Sequence, residues 1–207
     1  VGAYLEKAKV LKKLKRYNDS IEQYKILIAL EGPTAFSYLK IGCCYSKMNN
    51  NDNALKYFFK SIKEDPAFDK GWIEIAKFYY SNKDNLKALF YVNKAIDIDE
   101  QNPKYWHFYS KINSCLNYYV EAVRGYKKTL EYGENDIEIW IECGDILIHL
   151  GEFETAKSNF VKALNYYPES EELEYRIAGL YFKLNEFEKC YHHLINALHK
   201  NSEYYFI

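Results

Sequence analysis

Between positions 140 and 168 the chain reads WIECGDILIHLGEFETAKSNFVKALNYYP. Residues 140–149 and 153–166 each carry apolar side chains at helical spacing, with polar ones between them. A turn at Leu150-Gly151 separates the two runs. Pro168 stops the second run, as Pro66 does in an earlier stretch, because proline cannot continue a helix interior.

The hairpin recurs at a fixed step of 34 residues. The column through Gly144 holds Ala8, Gly42, Ala76, Ser110 and Ala178; the column through Ala156 holds Ser20, Ala54, Ala88, Ala122 and Cys190. Every one is small. The column through Trp140 holds Tyr4, Tyr38, Trp72, Trp106 and then Glu174, and that through Phe160 holds Tyr24, Phe58, Val92, Tyr126 and Leu194. Two helices pack closely only where each offers a small residue at the crossing, and the large columns fill the space beside it. One hairpin cannot bury both its faces, so the units must stack. This predicts an all-α chain of six helix-turn-helix units at 1–34, 35–68, 69–102, 103–136, 137–170 and 171–204, with 205–207 opening a further one.

The columns resemble those of the tetratricopeptide repeat family, whose pattern is W-x2-L-G-x2-Y followed by A-x3-F, a small residue and P. Tyr38, Ile41, Gly42, Tyr45, Ala54, Phe58, Ser61 and Pro66 follow it, as do Trp140, Cys143, Gly144, Leu147, Ala156, Phe160, Ala163 and Pro168. The Trp72 and Trp106 units end on Glu100 and Glu134 in place of proline, and Lys7 and Glu174 stand where apolar residues are expected. The resemblance spans essentially the whole chain. It implies a right-handed α-α superhelix, a single array over 1–207, with a concave groove lined by the first helix of each unit. It also implies a protein or peptide partner in that groove.

Composition narrows the rest. Hydrophobic residues make up 48% and charged ones 28%, which describes a folded chain rather than a disordered one. No apolar run nears the roughly 20 residues that span a bilayer, so membrane insertion is not expected. The opening Val1-Gly2-Ala3-Tyr4 leads into the lysine-dotted EKAKVLKKLKR, which is not a signal peptide. With no initiator methionine, the chain is expected to be an excised part of a longer protein. Cys43, Cys44, Cys115, Cys143 and Cys190 include no C-x-x-C, which points to a reducing cytoplasm and thiols used as small apolar groups. Residues 1–102 carry 17 Lys and Arg against 13 Asp and Glu, and residues 103–207 carry 11 against 16. That gradient is too mild to suggest nucleic acid.

No phosphate loop, nucleophile elbow or zinc-protease motif is present, so no catalytic residue, cofactor or metal is expected. Cys190, His192 and His193 read as a packed cysteine beside two surface histidines rather than a metal site. Glu171 and Glu172 suit a helix start, where they complement the macrodipole. The residues left for a partner are first-helix positions outside the packing columns. Lys70 and Lys77 lie seven apart on one stripe, and Lys104 and Lys111 repeat it in the next unit, with Tyr80, His107 and Phe108 beside them. Glu138, Glu142 and Asp145 then reverse the sign, suggesting a groove that is basic in the middle and acidic towards its C-terminal end. The columns where related repeats place the asparagines of a carboxylate clamp hold none, so a chaperone-tail receptor is not expected. Self-association through the last helix, a spacer role, or a regulatory arm of a larger protein are the alternatives to a peptide-binding scaffold.

Overall fold

In a computed structural model of the chain, residues 2–200 are described. They contain twelve α-helices and no strand. These are α1 (Gly2–Lys13), α2 (Tyr17–Glu31), α3 (Ala35–Lys47), α4 (Asn51–Glu64), α5 (Asp69–Ser81) and α6 (Asn85–Ile98). The remainder are α7 (Pro103–Cys115), α8 (Tyr119–Glu131), α9 (Ile137–His149), α10 (Phe153–Tyr166), α11 (Glu171–Lys183) and α12 (Phe187–Lys200). Consecutive helices pair as hairpins, odd-numbered first and even-numbered second. The further unit expected to open at Tyr205-Phe206-Ile207 lies outside the described residues.

The local signals repeat with the hairpins. Two residues past the end of every first helix stands a residue with positive φ: Lys15 (60°), Asn49 (57°), Lys83 (64°), Asn117 (60°), Gly151 (76°) and Asn185 (60°). The next N–H reaches the carbonyl five residues back, as from Glu152 to Leu147 at 2.9 Å and from Glu186 to Tyr181 at 2.9 Å. This double closure satisfies the helix's last carbonyls and turns the chain within three residues. Glycine and asparagine enter that conformation easily; lysine does so against strain. Four first helices start on polar caps in one column, with Thr34 accepting from the Ser37 N–H, Asn102 from Lys104, Asp136 from Glu138 and Ser170 from Leu173, while α5 has Phe68 at that place and no side-chain cap.

The chain divides into two compact units, one ending at Gln101 and the other beginning at Asn102. In the first, α1–α6 bury Ala8, Ser20, Ala54, Ala76 and Ala88 completely. Tyr24, Phe58 and Val92 fill the space beside them at 1%, 1% and 0% exposure. Gly42 is there because of Phe58: a Cβ on Gly42 would stand 2.6 Å from the ring. In the second unit, α7–α12 bury Ser110, Ala122, Ala156 and Ala178 completely around Tyr126, Phe160, Leu173 and Ile177. Gly144 lies flat against the Phe160 ring, and any Cβ there would overlap it. Gly125 serves the same end on the other side, since a Cβ would meet the Ser110 hydroxyl. At each of these crossings a side chain is deleted so that its neighbour fits.

Candidate functional site

Three of the residues singled out from sequence lie on α5 in the first unit. Lys70 is exposed in its first turn. Lys77, two turns on, donates to Glu74 Oε1 at 2.8 Å, an i,i+3 pair in water that contributes little. The other oxygen of Glu74 faces the Cys43 thiol of α3 at 4.0 Å. Tyr80 is half-buried near the helix end.

The others lie in the second unit, where opposite charges meet between first helices. Glu142 of α9 faces His107 Nε2 of α7 at 3.2 Å and Lys111 Nζ at 3.4 Å. Burial by itself would raise the Glu142 carboxyl. Hydrogen bonds from His107 and Tyr126, with the Lys111 charge, outweigh it and hold the group below the ordinary carboxylate range. Asp145 pairs with the Arg176 guanidinium of α11, which also donates to Glu172. Burial lifts the Asp145 carboxyl above its ordinary value despite Arg176, helped by nearby Glu172 and Glu142. Lys104 and Glu138 are exposed in the first turns of α7 and α9, and Phe108 is half-buried beside His107. The sign reversal read from the sequence therefore falls, in this unit, between partners that neutralise one another.

Sequence reasoning passed over an opening in the first unit, a cavity of about 610 Å³ between α1, α2 and α3. Helix α1 presents Lys9, Lys12 and Lys13 to it, α2 presents Tyr17 and Tyr24, and α3 presents Phe36, Lys40 and Lys47. The signal was in the spacing along each helix: Lys9, Lys12 and Lys13 share one face, as do Phe36, Lys40 and Lys47. Of the five lysines lining it, only Lys9 has a carboxylate within ion-pair distance among the described residues, Glu6 at 2.7 Å. Lys40 lies 4.9 Å from the centre of the Phe36 ring, so ring and ammonium share one surface. Burial, then the neighbouring Cys44, Cys43 and Glu6, push the Tyr24 hydroxyl up to about 12.

Glu174, placed by sequence in an apolar column, is also used. It is 3% exposed and receives His193 Nδ1 and Lys200 Nζ, each at 2.6 Å. His193 is stacked on Tyr181 and bonded to Glu174, Cys190 sits buried in the small column, and His192 is exposed. Among the described residues no three His, Cys, Asp or Glu side chains gather as a metal site. None of the described helices is long and apolar enough to cross a membrane.

Residues 37–68, 69–102 and 137–170 match the family model of the tetratricopeptide repeat. The chain belongs to the tetratricopeptide repeat family. No curated protein matches this tetratricopeptide repeat chain in sequence. Solved structures do match in fold. YrrB, a TPR protein with an unusual peptide-binding site, superposes with a TM-score of 0.72 at 19% identity, over 87% of this chain and 93% of its own. MamA gives 0.73 at 17% identity, over 85% and 98%. The C-terminal part of a TPR repeat-containing protein from Cytophaga hutchinsonii gives 0.75 at 18%, over 93% and 78%. At these identities the likeness is one of fold.

Proposed function

We propose that this tetratricopeptide repeat chain is a non-catalytic protein-interaction scaffold that holds an extended peptide segment along the first helices of its hairpins. The observation that carries the reading is a split among first-helix positions. Those used in packing are buried and small or apolar, such as Ala8, Ile41, Ala76 and Ile112 at 0% exposure. Others on the same helices stay accessible: Phe36, Lys70, Lys77, Lys104 and Glu138. Accessible side chains of fixed spacing on rigid helices suit recognition better than catalysis, which needs convergent reactive groups. The fold shared with YrrB, a protein with a peptide-binding site, supports the same reading. We place the protein in a reducing cytoplasm, where five cysteines outside any disulfide are stable.

The test is selection from a display library of random peptides on the immobilised chain, repeated with Lys70, Lys77, Lys104 and Lys111 all changed to Glu. Sequences enriched by the first and lost by the second support the scaffold and its candidate lysines. No enrichment over the unselected library overturns the scaffold reading.

A second reading, self-association through α12, is favoured by Tyr191 and Leu198, which stand 68% and 55% exposed. It requires a mass that rises with concentration in sedimentation equilibrium and falls back when Leu194 and Leu198 are changed to Glu.

A further inference from the structure

We infer that the cavity between α1, α2 and α3 is a receptor for an acidic peptide segment carrying an aromatic or large aliphatic anchor, which fixes the chemical class of the scaffold's partner. The inference rests on the scaffold reading and adds to it a place and a ligand chemistry. Three elements converge there, each with one face: lysines from α1, tyrosines from α2, and a phenylalanine with two more lysines from α3. At about 610 Å³ the opening lies within the roughly 300–1,000 Å³ of ordinary ligand sites.

Charge complementarity selects the occupant. Lys12, Lys13, Lys40 and Lys47 have no carboxylate within ion-pair distance among the described residues, whereas the lysine of the second unit's candidate set nearest a carboxylate, Lys111, already has Glu142. Like charges brought together around one opening repel, and an incoming anion relieves that repulsion. The apolar part of the wall answers a different need. Phe36, 37% exposed, and Tyr17, half-buried, offer ring surface that an acidic chain alone would leave wet. A segment with carboxylates flanking one apolar side chain satisfies both.

The lining favours carboxylates over phosphodiesters. It contains lysines and no arginine, so it offers point charges rather than the planar forks that grip phosphate in pairs. The whole chain has a net charge of −1, against the strong positive balance that nucleic-acid binding draws on.

The experiment titrates the full chain into a fluorescein-labelled peptide of Asp and Glu around one Phe, followed by anisotropy. Controls are the same peptide with Ala for Phe, with Lys for every acid, and a labelled uridine oligonucleotide. The acidic Phe peptide is expected to bind, to lose about tenfold or more when Lys12 and Lys40 are both changed to Glu, and to weaken between about 0.05 and 0.3 M salt. Phe36→Ala is expected to weaken the Phe peptide while leaving its Ala counterpart unchanged. Circular dichroism melts confirm that each variant folds. Equal binding of acidic and basic peptides, or an unaltered affinity in the folded Lys12→Glu, Lys40→Glu chain, overturns the inference. Tighter binding of the oligonucleotide overturns it in favour of nucleic acid. If the display library yields binders that the acidic peptide does not displace, the scaffold stands and this site falls; if it yields none, both fall.

Discussion

Glu174 and Lys200 meet at 2.6 Å across the last hairpin, inside a column that is aromatic in the five units before it. His193 closes on the same carboxylate. The side chain of Glu174 is 4% exposed while those of Lys200 and His193 are about a fifth exposed, so the carboxylate is buried and its partners reach out to water. An ion cluster has replaced a ring.

Glu174→Ala should destabilise the chain by roughly 1–3 kcal/mol at neutral pH, because it removes the buried acceptor shared by Lys200 and His193. Burial raises the Glu174 carboxyl, but the hydrogen bonds from Lys200 and His193 outweigh it and the folded value lies below the ordinary 4.5. A depressed carboxylate adds stability above its ordinary value, and that stability is lost as pH falls through the folded value. Urea melts from pH 7 downward should therefore show the native chain losing stability below about pH 4.5 more steeply than Glu174→Gln.

Gly144→Ala should cost about 1–3 kcal/mol, since the new Cβ overlaps the Phe160 ring. Combining it with Phe160→Leu should recover part of that loss. A double-mutant cycle on thermal or urea melts measures the coupling, which additive losses would contradict.

The turn lysines predict gains. Lys15 and Lys83 hold φ of 60° and 64°, a conformation that strains a side-chain-bearing residue. Lys15→Gly and Lys83→Gly should each stabilise by roughly 0.5–1 kcal/mol, the relief of strain exceeding glycine's extra entropy. Asn49→Gly should change less, as asparagine tolerates this conformation.

Thiol labelling should separate the cysteines. Burial raises the Cys43 thiol to about 11 and the Cys143 thiol to about 12, and Cys44 is raised by burial as well. Cys115 is exposed at the end of α7. Mass spectrometry after brief alkylation near pH 8 should find the adduct on Cys115, with the three raised thiols reacting only in denaturant.

The helical hairpins were legible because packing imposes one residue size per position. Small side chains at 8, 42, 76, 110, 144 and 178 announced the crossings, and each is buried. The turn column at 15, 49, 83, 117, 151 and 185 was equally regular, but lysine at two of its six places hid the conformational demand. The candidate partner residues were read from charge along single helices, which says nothing about what faces them. Glu142 and Asp145 were expected as an acidic surface; the structure sets them against His107, Lys111 and Arg176 of neighbouring helices.

By itself the sequence determined the fold class, the hairpin step and the family, because these follow from short-range periodicity and side-chain volume. Only the tertiary structure decided which charges remain unmatched. Whether a lysine is neutralised depends on a carboxylate some thirty residues away, as for Lys111 and Glu142. Whether lysines surround an opening depends on three helices converging, as at Lys12, Tyr17 and Lys40. Coulomb energy depends on distance in space, and distance along the chain does not supply it.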